Sequence, residues 1–271
     1  MKIAFIGTGN MGGALARAAS REKENELLLV NRHPEKAERL RQEIGGTVTN
    51  HETAVREADL IFIGVKPVVL PALCETLKPF FAAREGHYTI VSMVAGVAIE
   101  RIREMLGVSC PVIRIMPNTP VSVGEGMILY TCSQEVTDGD RNGFLTAMRQ
   151  AGRFMKVEER LMEAGMAVSG CGPAYVDLFV EALADAAVAC GLPRKDALLL
   201  SAQMVLGSAR LILESGKHPG QLKDEVCSPR RHDHSGRKGA GSTRFPLGSD
   251  RGRHRSPQRI NKSTGKADSQ S

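Results

Sequence analysis

Three glycines with the spacing G-x-G-x-x-G, Gly7, Gly9 and Gly12, lie near the start of the chain. An apolar stretch, 2–6, precedes them and predicts a strand, and the small residues of 13–19 predict a helix. In this setting the first glycine makes a tight turn, the second lets the backbone approach a pyrophosphate, and the third lets helix and strand touch. The phosphates would accept hydrogen bonds from the free N–H groups at the helix N-terminus. The pattern therefore predicts a dinucleotide site. Its residues are Gly7, Thr8, Gly9, Asn10, Met11 and Gly12.

The end of the second predicted strand, 26–30, indicates which dinucleotide is bound. An acidic residue at this point binds the ribose hydroxyls of NAD, whereas neutral or basic residues suit the 2′-phosphate of NADP. Here the strand is followed by Asn31 and Arg32, and no carboxylate is present. A guanidinium is a planar partner for a phosphate. We therefore expect NADP as the preferred cofactor, with NAD as an alternative. The competing interpretation of Arg32 is a solvated charge before Pro34.

Three more segments follow predicted strands and would lie at the same edge of a parallel sheet, where ligands of open α/β sheets bind. Val65, Lys66 and Pro67 follow one strand, 92–96 with Ala95 follows the next, and Asn118 follows the third. Asn118 stands between two prolines, and we expect its amide to face a nicotinamide ring. Taken singly, Lys66 is equally well interpreted as a surface charge and Asn118 as a turn residue that satisfies its own backbone.

The order of the predicted elements gives the fold class. Short apolar strands at 2–6, 26–30, 60–63, 88–93 and 112–116 alternate with segments that can form helices. This alternation predicts an α/β fold with a doubly wound parallel sheet, a Rossmann domain, over 1–157. From 158 to 229 the sequence predicts an all-α dimerisation and substrate domain. Residues 230–271 are basic and poor in apolar side chains, and we expect them to form a disordered tail.

Two long predicted helices, 174–190 and 195–215, have little polar face. A helix that is apolar nearly all round must be buried, and a second copy of the same helix is one partner that can bury it. We therefore expect a homodimer, or a higher homo-oligomer, formed through this domain.

Charge and cysteine content exclude several functional classes. Of the 36 Lys and Arg and 30 Asp and Glu, eleven and three respectively lie in 230–271, so 1–229 carries a net charge of −2. Such a body offers no surface for nucleic acid or an anionic membrane. Six cysteines without a C-x-x-C pair predict buried, reduced thiols. We expect a cytoplasmic protein without a signal peptide, because the first strand begins at residue 2 and no apolar run approaches the length of a membrane span.

Five motifs, in this order and spacing, closely resemble those of the pyrroline-5-carboxylate reductase family. They are GTGNMG (7–12), VKP (65–67), RIMPNTP (114–120), SGCGPAY (169–175) and HPGQLKD (218–224). The resemblance implies the reduction of 1-pyrroline-5-carboxylate, a cyclic imine, to L-proline with NADPH or NADH, the last step of proline biosynthesis. Such a reaction requires the nicotinamide ring and the substrate to lie face to face, the substrate's carboxylate to be bound, and the imine nitrogen to carry a proton.

The resemblance also implies roles for particular residues. The 7–12 loop binds the pyrophosphate, and Lys66 lies near cofactor and substrate, where we assign it as the catalytic residue. Asn118 lies by the nicotinamide, and 169–175 opens the first long helix of the dimerisation domain. Val226 and Ser228 bind the substrate. The other residues assigned to the cofactor are Asn31, Arg32, Val65, Pro67 and Ala95.

The chain departs from the family after Pro229. There the family has a Gly-Gly pair followed by threonine, whose amides and hydroxyl hold the substrate's carboxylate and imine nitrogen, whereas this chain has RRHDH (230–234). Shifting the reading frame by one base, with permitted codons, converts these five residues to Gly-Gly-Thr-Thr-Ile. We hypothesise that one extra base near the Pro229 codon put 230–271 out of frame. We then expect cofactor binding to persist, reductase activity to be very low and solubility to be poor.

Three alternatives remain open at this point. A hydroxyacid or phosphogluconate-type dehydrogenase has the same two-domain plan but needs a catalytic lysine on a helix of the second domain, for which Lys195 is the candidate. A nucleic-acid-binding protein would use the basic tail as an arm, but the tail has one aromatic residue and no repeat. A metal site at His232, His234 and His254 lacks a cysteine partner, so we expect no metal.

Overall fold

The structure is a computed structural model and describes residues 1–227. One sheet of eight strands runs through this part of the chain. The strands are β1 (Lys2–Ile6), β2 (Glu26–Val30), β3 (Thr47–Val48), β4 (Leu60–Ile63), β5 (Thr89–Ser92), β6 (Val112–Met116), β7 (Gly126–Cys132) and β8 (Gly152–Lys156). Their order across the sheet is β3-β2-β1-β4-β5-β6-β7-β8. Strands β2 and β3 thus lie on one side of β1, and β4 to β8 lie on the other, which is the doubly wound arrangement.

Ten α-helices lie within the same described residues. They are α1 (Asn10–Ser20), α2 (Pro34–Ile44), α3 (His51–Glu57), α4 (Leu70–Ala82), α5 (Ile99–Leu106), α6 (Asp138–Ala147), α7 (Met162–Ser169), α8 (Gly172–Ala189), α9 (Arg194–Ser215) and α10 (Pro219–Val226). The chain divides into two units, Met1–Leu211 and a second that begins at Ile212. The first unit contains the whole sheet, and the second contains α10.

Strand direction confirms the predicted fold class with one correction. Neighbours from β3 to β6 are parallel, and so are β7 and β8, but β7 runs antiparallel to β6. The cause is the length of the connection. A parallel crossover needs roughly a dozen residues, and only 117–125 separate these two strands.

The strands of the central sheet are buried on both faces. Phe5 and Phe62 stack on one face with ring centroids 4.6 Å apart, and Ile61 and Ile63 belong to the core on the other. Helices cover both faces of such a sheet, so its strands are nearly continuous apolar runs. This is why β1, β2, β4 and β6 appear within the bounds that the sequence predicts. The predicted strand 88–93 is shorter, Thr89–Ser92.

Two predictions, on the cysteines and on apolar runs, differ from the structure. Cys74 and Cys110 are buried as expected, but Cys171, Cys190 and Cys227 are exposed, so the expectation of buried thiols is wrong for half of the set. The expectation that no apolar run reaches membrane-spanning length is also wrong, because α9 has the length and hydropathy to cross a membrane. Exposed large apolar side chains, among them Tyr175, Leu178 and Leu199, instead mark α8 and α9 as surfaces that need a partner.

Candidate active site

The glycine loop begins where β1 meets β4 at their carboxyl ends. Gly7 has a φ of 102°, a left-handed conformation that side chains rarely adopt, and its N–H donates to the Val30 oxygen at 2.8 Å. A Cβ on Gly7 would lie 2.4 Å from the Gly64 oxygen. Gly7 thus makes the tight turn that the sequence predicts, and it does so at the switch point of the sheet, where cofactors bind.

Gly9 and Gly12 fill the other two places of the pattern. A Cβ on Gly12 would lie 2.0 Å from the Gly7 oxygen, so only glycine lets α1 approach the strand so closely. A Cβ on Gly9 would meet no atom within 4 Å. Gly9 precedes the first turn of α1, and no side chain caps this helix. The open space and the uncapped helix N-terminus fit a pyrophosphate.

The end of β2 is tied to the glycine loop by a contact that the sequence did not indicate. The Asn31 Nδ2 donates to the Thr8 hydroxyl oxygen at 2.8 Å, and the Asn31 Oδ1 accepts from the His33 N–H at 3.0 Å. Thr8 is buried, whereas Arg32 is exposed. Asn31 thus holds the chain after β2 beside the loop, and the guanidinium of Arg32 is accessible to a ligand.

The segments after β4 and β5 lie at the same edge of the sheet, because both strands are parallel to β1. Lys66 is exposed and extended, immediately before the short 3₁₀ helix Pro67–Val69, and Val65 is half-buried. Ala95 is exposed in the turn before α5, where Gly96 has a φ of 70°. The structure therefore brings the glycine loop, Asn31, Val65, Lys66 and Ala95 to one sheet edge.

Asn118 lies at that edge, and its amide makes two hydrogen bonds within the protein. Its Nδ2 donates to the Ser169 oxygen at 2.9 Å, and its Oδ1 accepts from the Met127 N–H at 2.9 Å. The side chain is buried. Both ends of the amide thus make a hydrogen bond within the protein, and these contacts were not predicted from the sequence. An open cleft of about 650 Å³, lined by Thr119, Val176 and others, adjoins it.

Arg114, in the middle of β6, is a residue to which the sequence analysis gave no role. It is buried on β6, and its guanidinium pairs with Glu159 at 3.2 Å and with Glu163 at 2.7 Å. The same Glu159 oxygen accepts from the N–H of Ile99, the first residue of α5, at 2.9 Å. An arginine within a run of buried apolar residues was the one signal in the sequence that could have indicated this network.

The remaining predicted residues lie further along the chain. Val226 is the last residue of α10 and is exposed. Ser228 and 230–271, with His232, His234 and His254, lie outside the described residues. Lys195, the residue required by the dehydrogenase alternative, is exposed in the first turn of α9. Within 1–227, no group of three or more His, Cys, Asp or Glu could hold a metal ion.

Two family models match the chain. The model described as "Pyrroline-5-carboxylate reductase dimerisation" matches 159–237, and the model described as "NADP oxidoreductase coenzyme F420-dependent" matches 2–96. The second match lies within the predicted dinucleotide domain, whereas the first begins in the predicted dimerisation domain and extends to residue 237, past its predicted end at residue 229.

Relatives of known identity extend these matches. The pyrroline-5-carboxylate reductase of Escherichia coli (strain K12) is 38% identical over 232 residues, which cover 84% of this chain and 85% of the relative. The enzyme of that name from Glycine max is 38% identical over 84% of this chain and 83% of its own.

Solved structures agree. The Plasmodium falciparum pyrroline carboxylate reductase with NADP bound matches with a TM-score of 0.74 and 30% identity, covering 84% of this chain and 85% of its own. The Coxiella burnetii pyrroline-5-carboxylate reductase matches with a TM-score of 0.75 and 33% identity over the same shares. A glycine loop at the switch point, a helical segment after the sheet and these relatives lead to one assignment: the chain belongs to the pyrroline-5-carboxylate reductase family.

Proposed function

We propose that this chain reduces 1-pyrroline-5-carboxylate to L-proline with NADPH, the last step of proline biosynthesis. The observation that carries the proposal is the open glycine loop at the switch point of a chain that is 38% identical to a pyrroline-5-carboxylate reductase over most of its length. When bound, NADPH supplies the hydride for the imine carbon. The enzyme therefore needs chiefly to hold the nicotinamide ring and the imine substrate face to face.

The cofactor site is formed by residues from four strand ends. The free N–H groups at the start of α1, beside Gly9, hold the pyrophosphate, and the exposed guanidinium of Arg32 binds the 2′-phosphate. Asn31 positions Arg32 through its bond to Thr8. Val65, Pro67 and Ala95 line the path toward the nicotinamide. Because Arg32 recognises the 2′-phosphate, NADPH is preferred and NADH is a weaker cofactor.

Lys66 is the catalytic residue of the proposal. Its ammonium group stands just beyond the end of β4, next to the switch point, and is exposed. A cation at this place attracts the anionic substrate and favours the orientation of its carboxylate. Little acid–base chemistry is required, because a protonated imine already accepts a hydride readily.

The unit of function is a homodimer formed through the helical segment. Leu199 on α9 is 67% exposed and Tyr175 on α8 is 68% exposed, which are high values for large apolar side chains. A second copy of α8 and α9 can bury them. Burial in this interface also accounts for the high hydropathy of α9 without a membrane. We place the protein in the cytoplasm and propose no nucleic-acid partner. The expected domains are 1–157 and 158–229. Light scattering at micromolar concentration that gives a monomer would contradict the dimer.

The loop after α10, where the family binds the substrate, has a different sequence in this chain. Val226 and Ser228 are proposed to bind the substrate, but the Gly-Gly-Thr sequence that should follow them is replaced by RRHDH. We therefore expect cofactor binding to be retained and imine reduction to be slow. Sequencing the gene across codons 225–260, on both strands, tests the origin of the change. One base fewer than this chain requires restores Gly-Gly-Thr-Thr, and an unchanged sequence means a real frameshifted product.

A paired assay tests the function. The full chain is titrated with NADPH and NADH, and proline formation is then measured with the imine as substrate. The proposal predicts tighter binding of NADPH than of NADH and slow formation of proline, which Lys66→Met slows further, by about ten-fold. A chain that binds neither cofactor would overturn the proposal.

A further inference from the structure

Two residues of β6 and one in the turn that follows it contact helix α7. Arg114, Met116 and Asn118 lie two residues apart and so share one side of the extended chain. Arg114 pairs with Glu163 in the first turn of α7, Met116 packs in one core cluster with Met162, and Asn118 bonds to Ser169, the last residue of the helix.

The helix is held at short range between these points. A Cβ on Gly165 would lie 2.3 Å from the Leu129 Cδ1, so the middle of α7 lies directly against β7. Leu129 is the register partner of Met116. With a salt bridge at one end, close packing in the middle and a hydrogen bond at the other end, α7 is fixed against the sheet at three places.

Asn118 joins the last residue of this helix to the sheet. It is 8% exposed, and its two bonds join three segments of the chain: the end of β6, the start of β7 and the last turn of α7. The Ser169 carbonyl is one of the last four of the helix, which lack an intrahelical partner. The Asn118 N–H satisfies the carbonyl of the half-buried Ser169 and fixes its position.

The turn that follows Ser169 lines the open cleft next to Asn118. Ser169, Gly172 and Pro173, at the start of α8, contribute to its wall together with Asn118 itself. Any shift of the last turn of α7 therefore moves the wall of the cleft. Where a substrate must be held in line with a hydride donor, a displacement of about 1 Å is enough to cost roughly 10²-fold in rate.

We propose that Asn118 is a positioning residue, which fixes the turn from Ser169 to Gly172 at the wall of the substrate cleft through its bond to the Ser169 carbonyl. This role replaces the direct contact with the nicotinamide ring that the sequence predicts. It rests on the proposed function only in that the cleft is taken to hold the imine. The bond to Ser169 is independent of that assignment.

The substitution Asn118→Asp tests the bond in the full chain. It keeps the oxygen that accepts from Met127 but places a second oxygen opposite the Ser169 carbonyl, where the two repel. At about pH 8 we expect amide exchange in 169–175 to be at least ten-fold faster and NADPH affinity to change less than three-fold. Imine reduction falls at least ten-fold with little change in the NADPH KM.

Acidification provides the readout that a merely structural role would not change. We expect burial to raise the pKa of the introduced carboxyl group, so that at about pH 5 it carries a proton, donates to Ser169 and gives the exchange rate of the unmodified chain at the same pH. Asp177 is the other titratable residue on the cleft wall among the described residues, and the unmodified chain reports its effect. Asn142→Asp, the same change at an exposed position on α6, is the control and leaves exchange in 169–175 unchanged at both pH values.

The outcomes separate the two roles. If Asn118→Asp weakens NADPH binding ten-fold while exchange in 169–175 stays as in the unmodified chain, Asn118 contacts the cofactor and the proposal is wrong. If the variant does not fold, the side-chain amide resonance of Asn118 in the unmodified chain decides, because NADPH shifts it strongly only if the ring is bound there. A chain that binds no NADPH at all refutes the proposed function, and the exchange data still decide the role of Asn118.

Discussion

Gly12 lies against the carbonyl oxygen of Gly7, and a Cβ at position 12 would be 2.0 Å from that oxygen. No real pair of atoms of this kind is so close, and the contacting atom is backbone. The first turn of α1 and the turn after β1 therefore fit together only because residue 12 is glycine. Gly9, between them, faces open space instead.

This difference predicts opposite effects for two alanine substitutions. Gly12→Ala should destabilise the chain by about 2 kcal/mol, because overpacking outweighs the usual helix preference for alanine. Gly9→Ala should cost only about 0.5 kcal/mol as an N-cap change but weaken NADPH binding about ten-fold, since its methyl group occupies the phosphate position. Urea unfolding and NADPH titration check both. Equal losses of stability for the two variants would contradict the geometry.

The exposed guanidinium of Arg32 predicts cofactor preference. Arg32→Ala should raise the Kd for NADPH by about ten-fold or more and leave that for NADH unchanged, because only NADPH carries the 2′-phosphate. The effect should weaken as salt is added, since exposed charges are screened. Arg39→Ala, an exposed arginine further along α2, is the control. A parallel loss of affinity for both cofactors would place Arg32 outside the phosphate site.

The ion pairs of Arg114 predict an unequal effect of removing each partner. Arg114→Met should destabilise the chain by about 3 kcal/mol, because Glu159 and Glu163 both lose their buried cation. Glu163→Gln should cost less than about 1 kcal/mol, since that carboxylate is half-exposed and Arg114 keeps Glu159. Thermal or urea unfolding gives the order. A larger loss for Glu163→Gln would contradict it.

Acid stability should depend on Asp140. Burial alone would raise the pKa of Asp140, but hydrogen bonds from His87 and Thr137 outweigh it and hold the pKa below its ordinary value. A lowered carboxyl pKa gives stability that is complete above the ordinary pKa of about 4 and is lost as the pH falls through the lowered value. Asp140→Ala, which also removes the capping box with Thr137, should cost about 1 kcal/mol at pH 7. The difference from the unmodified chain should shrink as the pH falls toward 2, and a difference that is constant with pH would show that the charge of Asp140 does not contribute.

Most of the buried strands and the glycine loop could be predicted from sequence because their causes are local, although the buried strand β7 was missed. A run such as 60–63 is apolar on both sides, and the task of Gly7 follows from its place between a strand and a helix. By contrast, β3 has two residues and β8 is largely exposed, so neither gives a clear apolar pattern.

The side-chain contacts of the site could not be predicted in the same way. Asn118 and Ser169 are 51 residues apart, and Arg114 and Glu159 are 45 apart. Whether an amide faces a ligand or a backbone carbonyl depends on where α7 packs, which no local pattern records. The hydrogen bonds of Asn118 therefore could not be predicted, and its contact with the nicotinamide ring was a prediction from the resemblance alone.

Hydride transfer itself is the most direct test of the account. NADPH carrying deuterium at the transferable position of nicotinamide C4 is incubated with the imine and an excess of the full chain, so that a slow enzyme still completes a turnover. We predict proline with one deuterium on the ring carbon that was the imine carbon. Proline without deuterium would contradict the proposed function. So would the absence of proline from a chain in which the reading frame and the Gly-Gly-Thr loop are restored and which binds NADPH.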